Sequence, residues 1–177
     1  MVTLPSPPIV YWDSCVWIGH IAQEPDKFPA TRYVVRLAGE GRRQIMTSTI
    51  ALAEVVKMKC GDEWVAMAAS DQDPFANLLA QDWVTTVVAD WDVGMKARDL
   101  FRLHMADGLK KPQDALHLAV AVLENVSEMH TFDNKDLLRL NGKVRRDDGT
   151  LLTICTPPVP DLTEGVDVDL FANHAVA

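Results

Sequence analysis

The sequence predicts an α/β fold, an α/β/α sandwich in which helices cover both faces of a central, mostly parallel sheet of short strands. Short apolar or β-branched runs alternate along the chain with longer segments of helical pattern. This alternation is typical of parallel sheets, because parallel strands need a crossover connection that is usually a helix. The segment from Gln113 to Asn125 is apolar on nearly every face, which indicates a helix buried against that sheet.

The first half of the chain is predicted to begin with a buried strand, Ile9 to Trp12, which follows a proline-rich segment. A helix from Ser14 to about Ala22 comes next, and we expect Pro25 and Pro29 to end it. The later elements of this half are a helix from Ala30 to Ala38, a strand from Gln44 to Thr47, and a helix from its cap, Ser48 or Thr49, to about Lys59 before Gly61.

The second half is predicted to continue the alternation. Asp90 is expected to cap a helix that Gly108 ends, and Pro112 stands where the first turn of a helix tolerates proline. The other predicted elements are a helix from Pro74 to Ala80, strands from Val84 to Val88 and Met129 to Phe132, a short helix from Asn134 to Arg139, and a strand from Leu151 to Cys155. We therefore expect one domain over residues 1–155 and a proline-rich, acidic tail over residues 156–177.

The composition is ordinary for a globular protein, with 48% hydrophobic and 24% charged residues. The sequence has no apolar run long enough to span a membrane and no secretory signal at its start, so we expect a cytoplasmic protein without membrane association. The cysteines Cys15, Cys60 and Cys155 are far apart, and their spacing fits neither a disulfide framework nor a zinc site.

Four acidic residues fall where strands end or where helices are apolar. Asp13 follows the first strand and Asp133 follows Met129 to Phe132, and ligands of open parallel sheets gather at the carboxyl ends of strands. Asp114 lies in the first turn of the most apolar helix, and Glu54 has apolar neighbours on both sides. Each acid alone also has an ordinary explanation as a cap, a turn residue or an exposed helix residue. Together, clustered carboxylates need a cation, and Mg²⁺ prefers oxygen ligands.

The net charge of −8 argues at first against a nucleic-acid partner. Half of that excess lies in the tail and the other half equals the four candidate acids, so the rest of the chain is balanced. Basic residues also cluster next to the candidate acids, with Lys110 and Lys111 before Asp114 and with Lys135 and Arg139 after Asp133.

Neighbours of the four acids are candidates for a supporting or substrate contact. Ser14 and Thr131 flank site acids, and His117 shares a helix face with Asp114. The complete candidate set is Ser14, His117, Thr131, Asp136, Arg145 and Arg146. Each of these also has an ordinary reading as a cap, a turn residue or part of a solvated loop.

The segments around the four acids resemble the acidic motifs of PIN-domain nucleases. These segments are Val10–Ser14, Ala51–Val55, Gln113–Ala119 and Thr131–Asp133, and the resemblance extends from Ile9 to Cys155. It is strongest to the ribonuclease toxins of bacterial type II toxin–antitoxin pairs, the VapC type.

The resemblance implies an endoribonuclease that hydrolyses RNA phosphodiester bonds with Mg²⁺ or Mn²⁺. The catalytic residues would be Asp13, Glu54, Asp114 and Asp133, and the metal ligands would be Asp13, Asp114 and Asp133. It further implies a homodimer that is blocked by a cognate antitoxin protein.

Two other functions stay open at this stage. A catalytically silent module of the same fold would act through binding partners, although it would have no reason to keep a costly cluster of acids. A metal-dependent phosphatase of another α/β fold would use Asp13 as its nucleophile. Such enzymes usually carry a second Asp two residues later, where this chain has Cys15.

Overall fold

The computed structural model describes residues 6–60, 63–67 and 73–160. These ranges contain seven strands, which are β1 (Ile9–Trp12), β2 (Gln44–Ser48), β3 (Lys57–Cys60), β4 (Glu63–Ala66), β5 (Val84–Val87), β6 (Glu128–His130) and β7 (Thr153–Cys155). Five of them form one sheet in the order β5-β2-β1-β6-β7, and every neighbouring pair in it is parallel.

Helices cover both faces of this sheet. The described helices are α1 (Ser14–Ile21), α2 (Phe28–Gly39), α3 (Thr49–Glu54), α4 (Pro74–Leu79), α5 (Trp91–His104) and α6 (Pro112–Leu123). Residues of α1, α2 and α4 form one apolar core with Val10 and Trp12, whereas residues of α5 and α6 form the other with Tyr11 and Met129. The predicted α/β/α sandwich is therefore confirmed.

Strand β1 lies in the middle of the sheet, and its sequence reflects that position. Val10 and Trp12 belong to one core and Tyr11 to the other, because successive side chains of a strand point to opposite faces. All three are fully buried, so both faces of the strand select apolar or aromatic residues. Asp13 follows at once and caps α1 by accepting a hydrogen bond from the Val16 N–H.

Helix α6 is the most buried helix of the second core. Pro112 occupies its first turn, and its buried residues run from Ala115 to Val122. The helix ends at Leu123, and Asn125 then adopts a left-handed conformation with φ of 49°, which turns the chain into β6. The first turn of α6 consequently lies at the carboxyl edge of the sheet.

The structure corrects the prediction of a helix that continues to about Lys59. Helix α3 ends at Glu54, and β3 pairs antiparallel with β4 in a hairpin that the sequence reading missed. The β-branched pair Val55 and Val56 disfavours another helical turn. Polar and apolar residues then alternate from Lys57 to Cys60, which is the period of a strand.

Other boundaries differ by a few residues. Helix α2 begins at Phe28, so Pro29 lies within its first turn and does not end an earlier helix. The strands predicted to reach Phe132 and to start at Leu151 are the shorter β6 and β7, and the predicted helix after Asp133 is a 3-10 turn, Leu137–Leu140.

The predicted acidic tail lies mostly outside the described residues, which end at residue 160, so the division at residue 155 stays a prediction. Among the described residues, Cys15 and Cys155 carry free thiols. None of the helices in the described ranges is both long enough and apolar enough to cross a bilayer.

Candidate metal centre

Three carboxylates meet at the carboxyl edge of the sheet. Asp114, Asp133 and Asp136 each offer one oxygen atom, and these atoms lie within 4.8 Å of one another. Asp114 comes from the first turn of α6, whereas the other two follow β6. The Asp133 Oδ1 atom accepts hydrogen bonds from the backbone N–H groups of Lys135 and Asp136, at 2.9 and 3.0 Å, so a tight turn brings the two acids together.

The ammonium group of Lys111 lies among these carboxylates. Its Nζ atom is 3.1 Å from Asp133 Oδ2, 3.2 Å from Asp136 Oδ2 and 3.4 Å from Asp114 Oδ2. Burial alone would lower the pKa of Lys111, but the hydrogen bonds and negative charges of the three acids outweigh it and raise the pKa above its usual range. The cluster thus surrounds a single positive charge with three negative ones.

Asp114 is the least satisfied member of the cluster. Its Oδ2 atom is buried and accepts no hydrogen bond of good geometry from the described residues. Burial, together with repulsion from Asp133 and Asp136, raises the pKa of Asp114 to about 6, although Lys111 opposes the rise. The only polar contact of this oxygen among the described residues is the ion pair with Lys111 at 3.4 Å. Three carboxylate oxygens this close together are the donor set that a hard divalent cation prefers, so these residues fit Mg²⁺ or Mn²⁺.

Asp13 supports the cluster from the end of β1. Its Oδ1 atom accepts hydrogen bonds from the Val16 N–H and the Cys15 thiol, and its Oδ2 atom accepts one from the Thr131 hydroxyl. The Thr131 hydroxyl oxygen in turn accepts from the Asp133 N–H at 3.0 Å. Burial raises the pKa of Asp13, while His117 and these hydrogen bonds oppose the rise. Thr131 therefore couples Asp13 directly to Asp133.

Glu54 is held by a separate hydrogen-bonded chain. Its Oε2 atom is paired with the Ser14 hydroxyl and, at 2.8 Å, with His117 Nε2. The other ring nitrogen of His117 lies 2.6 Å from the Tyr11 hydroxyl, which also contacts Ser48. Burial raises the pKa of Glu54, but the hydrogen bonds from His117 and Ser14 outweigh it and lower the pKa below its usual value. Glu54 is therefore ionised at neutral pH.

The structure brings all four predicted acids to one edge of the sheet. Direct contacts join Asp114 and Asp136 to Lys111, Lys111 to Asp133, and Asp133 through Thr131 to Asp13. Among the described residues, Asp13 and Glu54 lie outside the group whose oxygens are within 4.8 Å, and Asp136 takes a place in it. The role of Asp13 as a metal ligand stays a proposal.

Sequence reasoning missed two residues of this site. Lys111 was visible only as part of a basic pair, although it is the N-cap residue of α6, from which its side chain reaches Asp114 in the first turn. Tyr11 carried no signal beyond its place in a buried strand. Cys15 contacts Asp13, and burial together with the Asp13 charge raises the pKa of its thiol, which makes it a poor nucleophile.

Arg145 and Arg146, two of the candidates for a substrate contact, lie away from the acidic cluster. The guanidinium of Arg146 donates to the backbone carbonyls of Val126 and Ser127, at the amino end of β6 and so at the edge opposite the acids. Arg145 donates to the Gly149 carbonyl within its own loop. Arg146 therefore ties this loop to the sheet, and the geometry gives neither arginine a contact with the acidic cluster.

A second group of potential metal ligands is not suited to hold a metal ion, because both ring nitrogens of its histidine are already engaged. Glu128, His130 and Cys155 bring ligand atoms within 4.8 Å of one another. However, the Trp12 indole N–H donates to His130 Nδ1, so the ring proton is on Nε2, and that N–H faces Glu128 at 3.0 Å. The His130 ring then has no lone pair to offer a metal at this position.

The fold and the acidic cluster together define an α/β/α domain with a centre suited to a divalent cation. The family model described as PIN domain matches residues 10–143. The chain therefore belongs to the PIN domain family, and the resemblance drawn from its sequence motifs is confirmed. A comparison with curated proteins finds no match.

Solved structures share this fold at low sequence identity. One is a toxin–antitoxin complex from Klebsiella pneumoniae, with a TM-score of 0.54 and 17% identity over 85% of this chain and 99% of that one. Another is FitAcB from Neisseria gonorrhoeae, with a TM-score of 0.53 and 13% identity over 84% and 97%. A third is VapC20 of Mycobacterium tuberculosis, a sarcin–ricin loop cleaving toxin, with a TM-score of 0.52 and 16% identity over 71% and 90%.

Asp114→Asn is expected to stabilise the metal-free protein at neutral pH, because a neutral amide costs less to bury than a carboxylate and does not repel Asp133 and Asp136. The rise in pKa from 3.8 to about 6 corresponds to at most roughly 3 kcal/mol. Because the pKa of Asp114 is raised in the folded state, its protonation stabilises the wild type at low pH. This contribution is lost as the pH rises through about 6.

Denaturant titrations in EDTA measure this effect. The advantage of Asp114→Asn over the wild type should grow between about pH 4 and about pH 6 and then stay constant. The matched control is Asp99→Asn, since Asp99 is 71% exposed. A stability difference between Asp114→Asn and the wild type that does not change with pH would contradict the assignment of the raised pKa to the buried charge of Asp114.

Arg146→Ala is expected to lower the free energy of unfolding by about 2 kcal/mol, because two backbone carbonyls lose charge-assisted hydrogen bonds. Arg145→Ala, in the neighbouring exposed position, should change it by less than about 0.5 kcal/mol. Thermal or denaturant unfolding of both variants provides the measurement. Equal stability of the two variants would rule out the structural role of Arg146.

Proposed function

We propose that this protein is a metal-dependent endoribonuclease, which hydrolyses RNA phosphodiester bonds and is the toxin of a toxin–antitoxin pair. The proposal rests on the three carboxylates that surround the Lys111 ammonium at the carboxyl edge of the sheet in a PIN domain. The Lys111 ammonium occupies a position at which the three acids favour positive charge, and this supports a binding site for Mg²⁺ or Mn²⁺ there.

The ion is proposed to be held by Asp114, Asp133 and Asp136, with Asp13 as a further ligand or as support through Thr131. When bound, it supplies a water of lowered pKa and offsets charge on the phosphate oxygens. The protein positions these acids in advance, because Thr131 and two backbone N–H groups fix the Asp133 carboxyl and its backbone. Preorganised ligands of this kind need no rearrangement during the reaction.

Glu54 is proposed to accept the proton of the attacking water. Its hydrogen bonds from Ser14 and His117 both end on Oε2. Among the described residues this leaves Oε1 to take the proton, while Tyr11 fixes the His117 ring from its other side. Asp133 is the other candidate for this role, but its carboxyl group already accepts from Lys111 and two N–H groups.

RNA and an antitoxin are the proposed partners, and a homodimer is the proposed assembly. The matched Klebsiella structure is a toxin–antitoxin complex, and the matched mycobacterial protein is described as cleaving the sarcin–ricin loop. A sarcin–ricin loop RNA is therefore the first substrate to test, beside single-stranded RNA. The free thiols and the RNA substrate agree with a cytoplasmic location.

The two alternative functions are less well supported. A phosphatase would need the Asp13 carboxylate as its nucleophile, but Asp13 is buried and both of its oxygens already accept hydrogen bonds. A silent binding module would gain nothing from three carboxylates whose oxygens lie within 4.8 Å of one another and repel.

The central test is RNA cleavage by the full chain with Mg²⁺, with EDTA, and by Asp133→Asn with Mg²⁺. We expect cleavage only by the wild type with Mg²⁺. The loss in the variant should exceed about 100-fold, since replacement of residues that merely support metal ligands already costs about 10–100-fold. Asp99→Asn, a matched change in an exposed ion pair, should keep full activity. Cleavage that resists both EDTA and Asp133→Asn would refute the proposal.

A further inference from the structure

We propose that Lys111 is an exchangeable counter-cation, which holds the acids together without metal and moves to the RNA phosphate when a divalent ion binds. This inference rests on the proposed function, because it assigns a role to a residue of the same site. Among the described residues, the ammonium of Lys111 is the one that contacts all three acids of the cluster.

The Lys111 ammonium and a metal ion compete for the same carboxylate oxygens. Lys111 Nζ faces the Oδ2 atoms of Asp114, Asp133 and Asp136 at 3.1–3.4 Å. A divalent ion bound by these carboxylates needs the same oxygen atoms at shorter distances. The ammonium occupies the position that faces all three oxygens, so a metal ion that binds at this position displaces it.

The Lys111 side chain can move away from the cluster while the three acids stay in place. The Lys111 side chain is 56% exposed, whereas the side chains of Asp114, Asp133 and Asp136 are 14%, 19% and 6% exposed. The Lys111 backbone is held as the N-terminal cap residue of α6, and only the flexible four-carbon stem has to move. Exchange of the ammonium therefore needs no change in the fold.

The displaced Lys111 ammonium has a new partner in the RNA phosphate. The ammonium lies on the exposed side of largely buried acids, which is the side from which an RNA phosphate must approach. The chain carries a net charge of −8, so the approaching phosphate gains from every positive charge close to the site. After exchange, Lys111 can neutralise the phosphate beside the metal.

The test compares Lys111→Met with Lys110→Met, an exposed neighbour, and with Lys111→Arg, which keeps the charge. Without RNA, calorimetric titration with Mn²⁺ should show affinity roughly tenfold higher in Lys111→Met and unchanged in Lys110→Met. In EDTA, Lys111→Met should melt roughly 2–4 °C below the wild type, and saturating Mn²⁺ should remove that deficit. Lys111→Arg should restore most of the stability in EDTA.

With RNA and saturating Mn²⁺, Lys111→Met should raise KM by about 3–10-fold, because one contact to a phosphate is lost. Unchanged Mn²⁺ affinity, or a melting deficit that persists in saturating Mn²⁺, would overturn the exchange while leaving the proposed nuclease intact. Failure of the wild type and Lys111→Met to bind Mn²⁺ at all would overturn both proposals together.

Discussion

Mutual repulsion of carboxylates at the carboxyl edge of the sheet is the constraint on which the rest of this structure depends. Asp114, Asp133 and Asp136 bring their oxygens within 4.8 Å of one another, and burial prevents water from screening them fully. A fold tolerates such a group only if positive charge and hydrogen-bond donors compensate it. Lys111 and the backbone N–H groups after Asp133 provide that compensation.

The parallel sheet makes this arrangement possible because it delivers distant residues to one edge. β1 ends at Asp13, β2 leads through α3 to Glu54, and β6 leads to Asp133. Two hydrogen-bonded chains then lock these positions, one through Thr131 and the other through Ser14, His117 and Tyr11. The acids are therefore placed before any ligand arrives, and the stability that they forgo is typical of a functional site rather than of a structural one.

Part of this could be predicted from the sequence, because β1 is an apolar run that Asp13 directly follows, and because α6, which carries Asp114, is apolar on nearly every face. The hairpin of β3 and β4 was missed because the segment before it has strong helical features, and only the alternation after Val56 favours a strand. Lys111 and Arg146 illustrate a second limit. A basic side chain reaches several ångströms from its backbone, so spacing alone does not show whether it meets a carboxylate, a phosphate or a carbonyl.

An anomalous difference map from crystals grown with Mn²⁺ would show whether a divalent ion binds among Asp114, Asp133 and Asp136. We expect one strong peak roughly 2.0–2.3 Å from oxygens of these residues, with the Lys111 ammonium displaced from them. A map with Lys111 Nζ still among the three carboxylates, and with no Mn²⁺ peak there at saturating concentration, would contradict it.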